Sequence, residues 1–332
     1  MKKTGVIVSN LGTPDSSSPK DVARYLRDFL MDPYVITIPW FFRFLLVQGI
    51  IAPFRSKKSA KNYQKIWTEK GSPLRFHTEQ IVNDLQKKLG ESYKVVPAMR
   101  YGKPSFEEAR EKLKDCSDVI LFQQYPQFAD STTTTGEEHF KKVFSGFNFK
   151  IIEPYYKSNL FISSYVGFLK EEFKKIDFDY VLMSFHGLPE SHLKSADPLG
   201  NHCLQSKNCC EKSEKVLSRC YRAQCFSTAK ALAEGLGLKD NYRVSFQSRL
   251  GRQKWIEPYT EDMYKELASQ GVKKLAVICP GFSVDGLETL EEIALGGKES
   301  FLAQGGDSFH FVPCLNSDPG WVMACAQMIL ET

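Results

Sequence analysis

The sequence predicts an α/β protein made of two similar halves, each a four-stranded parallel sheet flanked by helices. Three observations predict it. Short apolar, β-branched runs ending in glycine or proline alternate with longer segments of helical period, the pattern of parallel strands joined by crossover helices. The runs fall into two sets of four, near 5–9, 94–99, 118–123 and 149–153, then near 179–184, 242–247, 274–279 and 308–312. The turns expected after the first three strands of each set also echo one another. Asn10-Leu11-Gly12-Thr13-Pro14 answers His186-Gly187-Leu188-Pro189, Arg100-Tyr101-Gly102 answers Arg249-Leu250-Gly251, and Tyr125-Pro126-Gln127 answers Pro280-Gly281-Phe282. Three matches in one order favour a duplicated unit.

Length agrees with this division. At roughly 150 residues per domain, 332 residues suit two domains, and the expected boundary separates 1–155 from 156–332. Hydrophobic residues make up 42% and charged residues 25%, enough apolar surface for a folded core. Between strands, Ser18-Pro19 reads as an N-cap with proline in the first helical turn, and Ser105 with Glu108 reads as a capping box.

A net charge of +5 is mild. No basic stripe interleaved with aromatics, zinc-finger spacing or RNA-recognition motif points to nucleic acid. Met1 to Asn10 has too short an apolar run for a signal-peptide core, so a cytoplasmic protein is expected.

In open α/β sheets ligands bind beyond the carboxyl ends of the strands, so a cleft between the halves is the expected site. His186 ends a strand there and titrates near neutral pH, although a lone histidine is more often structural. Glu288 and Glu292 stand four apart on one face of a helix following Asp285. Such a pair is usually a solvated face; at the mouth of a sheet it can also bind a cation or relay protons.

Tyr34 to Phe54 is almost wholly apolar, but Pro39, Pro53 and Arg43 interrupt it and Arg55, Lys57 and Lys58 follow. A membrane span is disfavoured on those grounds. What remains is a buried core helix, or an exposed lip that touches a bilayer or grips a flat apolar ligand.

Nine cysteines are many for a reducing compartment, and five (Cys203, Cys209, Cys210, Cys220, Cys225) cluster in a polar loop. The grouping reads as a thiolate metal centre, with Zn2+ or an iron–sulfur cluster both open.

These residues resemble the ferrochelatases, which insert Fe2+ into a porphyrin. Ser184-Phe185-His186-Gly187-Leu188-Pro189 is similar to the family's catalytic histidine turn. Ser245 to Gly251, Trp255 and Cys279 to Glu292 resemble its long signature. Asn10 to Pro14, Tyr63, Gly71-Ser72-Pro73-Leu74, Arg100-Tyr101 and Gln124 to Gln127 extend the likeness through the first half. The resemblance implies two Rossmann-like, chelatase-type domains, with the last helix packing back on the first. It implies that His186 accepts pyrrole protons, that Glu288 acts with it on metal or protons, and that Asp285 and Glu292 form the relay. Leu11, Arg55, Tyr63, Ser72, Arg100, Tyr101, Trp255 and Phe282 become the porphyrin-binding set, and 34–54 becomes a hydrophobic lip suited to peripheral contact with the inner face of the cytoplasmic membrane. Leu11, where the coproporphyrin-using branch has tyrosine, favours protoporphyrin IX; coproporphyrin, another tetrapyrrole, or non-catalytic tetrapyrrole or metal binding are the alternatives.

The chain departs from the family pattern at Gly286, where animal enzymes carry a second histidine. The segment 200–225 resembles the insertion of ferrochelatases that hold a 2Fe-2S cluster. Cys203, Cys210, Cys220 and Cys225 are the preferred ligands, with Cys209 as alternate and Zn2+ as the other occupant.

Overall fold

The computed structural model describes residues 3–206, 208–211, 214–249, 251 and 253–332, with only the backbone of Glu214. Met1 and Lys2, Leu250 of the signature segment, and Lys207, Lys212 and Ser213 of the cysteine loop lie outside the described residues.

The two sets of strands form two parallel sheets with the same internal order. In the first, β1 (Thr4–Thr13), β2 (Tyr93–Gly102), β3 (Asp118–Gln123) and β4 (Asn148–Ile151) lie in the order β2-β1-β3-β4. In the second, β5 (Tyr180–His186), β6 (Tyr242–Gln247), β7 (Lys274–Ile278) and β8 (Ser308–Phe311) repeat it as β6-β5-β7-β8. The direction of winding reverses between β1 and β3 and between β5 and β7. Those switch points are where an open parallel sheet leaves a crevice beyond its carboxyl ends.

The central strands are buried on both faces, which explains their unbroken apolar runs: Val6, Ile7 and Val8 in β1, and Val181, Leu182 and Met183 in β5, have no exposed surface. Ile7, Val119 and Leu121 pack with Phe106, Phe140 and Phe144. Leu182, Leu275 and Val277 pack with Tyr264, Phe301 and Phe309. Both caps form as read. The Ser18 side chain accepts from Asp21 N–H, and Ser105 and Glu108 exchange both bonds of a capping box.

The chain divides into two compact units. One comprises Met1–Gln124, Asp130–Glu153 and Ala326–Thr332; the other comprises Tyr125–Ala129 and Pro154–Cys325.

One turn expectation is corrected. Asn10 to Thr13 is strand, because β1 and β2 continue as a two-stranded extension past the end of β3, pairing Gly12 with Tyr101 and Thr13 with Gly102. Gly12 makes this possible. At φ 115° it adopts a conformation that favours glycine, and an added Cβ would lie 1.8 Å from the Tyr101 carbonyl oxygen.

The apolar segment is a lip and not a buried helix. Trp40–Phe44 is α-helical, Leu45–Ile51 widens into a π-helix, and Ala52–Ile66 continues as α-helix. Trp40, Phe41, Phe42, Phe44, Leu45, Ile50 and Phe54 are exposed, Phe54 by 76%. The wide turn ends just before Pro53, whose ring nitrogen has no hydrogen to give an α-helical ladder. Arg43 is buried instead: its Nη1 donates to the carbonyls of Ile36 (2.9 Å) and Ile38 (3.1 Å), closing the turn beneath the aromatic tip. Among the described residues no helix is long and apolar enough to cross a membrane.

Gly12→Ala is expected to lower unfolding free energy by at least about 2 kcal/mol, from left-handed strain plus displacement of a backbone carbonyl. Denaturant unfolding followed by circular dichroism measures it.

Candidate active site

In the second unit, β5 delivers His186 to the carboxyl edge of the sheet. Phe185 before it is buried, whereas the imidazole is half-buried. Its Nδ1 lies 2.6 Å from the Gly187 carbonyl oxygen. A carbonyl has no proton to give, so Nδ1 carries the hydrogen and donates it. In the neutral imidazole Nε2 is then left with a free lone pair, the tautomer a general base requires.

Gly187 is held against its neighbours. Its N–H donates to the Gln247 carbonyl (2.8 Å), and an added Cβ would meet that oxygen at 2.6 Å and the Trp255 ring at 3.3 Å. Pro189 and Trp255 are joined by an isolated antiparallel bridge. The Phe282 ring, from the turn after β7, stands 6.3 Å from the imidazole.

The helix expected after Asp285 is present, but Glu288–Gly297 has π geometry, which a four-residue spacing does not distinguish from an α-helix. Its first turn is tied to the sheet by a residue the sequence reading did not single out. Gln247 Nε2 donates to the Glu288 carbonyl (2.7 Å), while Ser184 Oγ donates to Gln247 Oε1 (2.8 Å).

Glu292 is clamped by Ser248. The Ser248 N–H donates to Glu292 Oε1 at 2.6 Å, and its hydroxyl donates to Oε2. Ser248 adopts φ 69° to do this, a conformation non-glycine residues seldom take. Burial pushes the Glu292 carboxyl above its usual 4.5. The Ser248 bonds and nearby His186 oppose that rise, and Glu288 adds to it. His186, Phe282, Glu288 and Glu292 thus form one group, with Trp255 against Gly187.

Asp285 is not in it. Its Oδ1 accepts from Thr289 Oγ1 (2.8 Å), its Oδ2 accepts from Asn316 Nδ2 (2.8 Å), and the Cys314 N–H contacts both oxygens. A buried carboxylate with its lone pairs so occupied anchors the loop entering the π-helix. It has little capacity left for a relay, because Thr289, Cys314 and Asn316 already donate to both of its oxygens.

In the first unit, Leu11 is half-buried next to Asn10, whose Oδ1 accepts from the Leu11 N–H. Ser72 accepts a 2.8 Å hydrogen bond from Thr13 Oγ1. Tyr63 is buried edge-on to Trp67, and Arg55 is exposed on the same helix. Arg100 and Tyr101 converge on a residue missed in the sequence. Asp32 Oδ2 accepts from Arg100 Nη2 (2.6 Å), Tyr101 Oη (2.8 Å) and Thr135 Oγ1 (2.6 Å). Arg100 also contacts His139 Nδ1, whose other ring nitrogen reaches Glu107. The signal for Asp32 is slight: one acid before Pro33, just past an amphipathic helix. Burial and the Asp32 charge raise the Tyr101 hydroxyl well above its usual value.

The five loop cysteines lie near one another. Cys203, Cys209, Cys220 and Cys225 are buried and Cys210 is half-buried. Cys220 shares hydrogen bonds with Cys203 and Cys210. Leu204 N–H points at Cys209 Sγ (3.4 Å), and Arg222 Nη1 at Cys210 Sγ (3.1 Å). Cys225 pairs with the Tyr221 hydroxyl inside the core. Burial first, then the Asp197 charge, pushes Cys203 up to about 11; the bond to Cys220, then burial, raises Cys210 further. Among the described residues no three His, Cys, Asp or Glu side chains are already arranged around a metal position. The donor chemistry, sulfurs with N–H donors aimed at them, nevertheless fits a soft metal or cluster.

Residues 3–332 match the ferrochelatase family model. The chain belongs to the ferrochelatase family. The ferrochelatase of Pseudomonas fluorescens strain Pf0-1 is 46% identical over 336 residues, covering 99% of this chain and 98% of the relative. That of Coxiella burnetii strain Dugway 5J108-111 is 43% identical over 329 residues, covering 98% and 93%. Among solved structures, SirB from Bacillus subtilis with Fe3+ superposes at a TM-score of 0.55 with 9% identity, covering 99% of this chain and 95% of that one. CbiX, the terminal enzyme for sirohaem biosynthesis in denitrifying bacteria, superposes at 0.51 with 8% identity, covering 100% and 99%. Those two likenesses concern the fold alone. As a ferrochelatase-family enzyme, the protein inserts a metal into a tetrapyrrole.

The Glu292 environment has a pH signature. The folded state holds that proton more tightly than the unfolded chain, so the wild type loses stability as pH rises above 4.5. Glu292→Gln, neutral throughout, is expected to gain in Tm relative to the wild type over that rise and to match it most closely in acid. Thermal unfolding across pH checks this.

Proposed function

We propose that this chain inserts Fe2+ into protoporphyrin IX to form protohaem, with His186 as the base. The observation that carries this reading is the His186 tautomer: an imidazole locked by Gly187, its Nε2 lone pair free, grouped with Glu288 and with a Glu292 whose proton affinity is raised. Insertion of Fe2+ expels two pyrrole protons. His186 Nε2 takes one directly. Glu288 and Glu292 stabilise the imidazolium and carry the second proton, and a carboxyl poised toward the protonated form suits that task. Glu288 and His186 also face the incoming Fe2+ as substrate ligands.

Leu11, Tyr63, Trp255 and Phe282 form the apolar contacts of the macrocycle in this reading, and Arg55, Tyr63 and Ser72 its propionate contacts. Arg100 and Tyr101, with donors already engaged by Asp32, fix the extended end of β1 and β2 that carries Leu11. Asp285 anchors the π-helix, and Ser248 holds Glu292. The lip makes peripheral contact with the cytoplasmic membrane, a route suited to a poorly soluble substrate.

The thiol loop holds a 2Fe-2S cluster through Cys203, Cys210 and Cys220, with Cys225 or Cys209 as the fourth ligand; Zn2+ is the other occupant the donors admit. When bound, such a centre cross-links the loop and gives it redox sensitivity. The residues around it supply the rest: the Arg222 guanidinium is aimed at the Cys210 sulfur and the Leu204 N–H at the Cys209 sulfur, donors that would hydrogen-bond sulfur ligands of a bound centre.

Purified protein given porphyrin and Fe2+ or Zn2+ is expected to yield metalloporphyrin, with protoporphyrin preferred over coproporphyrin. His186→Ala should fall by about 10²–10⁴-fold in kcat; a fully active variant removes the proposed base. Protein purified without oxygen should show visible 2Fe-2S bands that vanish when Cys220→Ser is substituted. A colourless, zinc-containing protein reverses the cluster assignment.

A further inference from the structure

We propose that the helix following the lip selects for anionic phospholipid, through a face made by Lys57, Lys58, Lys61 and Lys65. The inference rests on the lip's peripheral contact with a membrane and goes further by naming the lipid class and the side chains that recognise it.

Between Asp32 and Glu69 the chain has no acidic residue, yet it carries Arg43, Arg55, Lys57, Lys58, Lys61 and Lys65. Arg43 is buried on the carbonyls of Ile36 and Ile38, so it contributes to the turn and not to the surface. The other five are exposed on the helix Ala52–Ile66. Positions 54, 58, 61 and 65 follow i, i+4, i+7 and i+11, and 57 lies one turn from both 54 and 61. Phe54 and the four lysines therefore share one stripe. It lies opposite Ala52, Ser56, Ala60, Tyr63 and Ile66, the face buried in the first unit. Arg55, flanking this stripe, is the propionate candidate and is set aside. Read along the chain, the lysines do not alternate with aromatics; the helix brings them onto the face that carries Phe54.

The ordinary reading of exposed lysines is a solvated face balanced by acids, and this protein has several. Lys87 pairs with Asp84, Lys141 with Glu137 and Lys194 with Glu190 within their helices, and Lys174 with Glu171 and Lys175 with Glu172 at the end of one. Among the described residues, Lys57, Lys58 and Lys61 have no such partner. Like charges one turn apart repel, as at 57 and 61 or 61 and 65, and a layer of lipid phosphates relieves that repulsion. The lysines start one turn after Phe54, the most exposed of the lip aromatics. Trp40, Phe41, Phe42 and Phe54 then enter the hydrocarbon boundary while Lys57 and Lys58 lie at headgroup level. Lys57 and Lys58 rise only about 5–6 Å along the helix from Phe54, inside a Debye length of about 10 Å, whereas Lys65 rises about 16 Å. The first two lysines should matter most.

Flotation of the full chain with vesicles tests this, using phosphatidylcholine alone or with added phosphatidylglycerol, at low and high salt. Anionic lipid is expected to tighten partitioning by on the order of 10²-fold at low salt, and high salt to remove most of the gain. Lys57→Gln with Lys58→Gln should lose more of it than Lys61→Gln with Lys65→Gln, and the quadruple variant all of it. Circular dichroism establishes that each variant is folded. Equal binding of the wild type to both vesicles, or a preference that survives in the quadruple variant, overturns the lipid-class inference while leaving the lip's membrane contact standing. No binding to either vesicle, or binding unchanged by Trp40→Ser with Phe41→Ser and Phe42→Ser, overturns the membrane reading itself.

Discussion

Gln247 is where strand, turn and π-helix meet, and the rest of the catalytic half is arranged around its hydrogen bonds. Its side-chain oxygen accepts from Ser184 on β5, its amide nitrogen donates to the Glu288 carbonyl, and its own carbonyl accepts from Gly187. One buried amide thereby sets the strand that delivers His186, the turn that fixes its tautomer, and the entry of the helix bearing Glu288 and Glu292. An apolar residue of similar size would keep the backbone bond to Gly187 but deprive the Ser184 hydroxyl of this acceptor and the Glu288 carbonyl of its donor.

The same logic separates three acidic residues of one short segment. Asp285 accepts from Thr289, Asn316 and Cys314, so its oxygens are taken up by architecture. Glu292 has the two Ser248 bonds, but its partial burial still raises its proton affinity. Glu288 bonds the sheet through its backbone, leaving its carboxylate for the site. Environment, and not residue type, divides anchoring from proton handling.

What was legible in the sequence follows from what is local. The eight strands fell close to their expected places because β-branched runs buried on both faces leave an unbroken apolar signature, and the caps at Ser18 and Ser105 depend on neighbours three residues away. The histidine turn was legible through motif likeness. Long-range pairing was not: Asp32 gathers Arg100, Tyr101 and Thr135 from distant segments, and Asp285 meets Asn316 across 31 positions. Glu288 and Glu292 are four apart in either kind of helix, so the π geometry left no trace in their spacing. The lip was legible as a segment and ambiguous as to exposure, since apolarity alone does not say which side of a helix has a partner.

Gly12 sits beside Leu11 in the strand extension, with a backbone oxygen where any side chain would begin. Each amino acid reachable from a glycine codon by one base change brings a Cβ, so every such change meets that backbone oxygen. Variation is therefore less disruptive at the flanking residues, Leu11 among them, than at Gly12, where the pairing of the two strands leaves no room for a side chain.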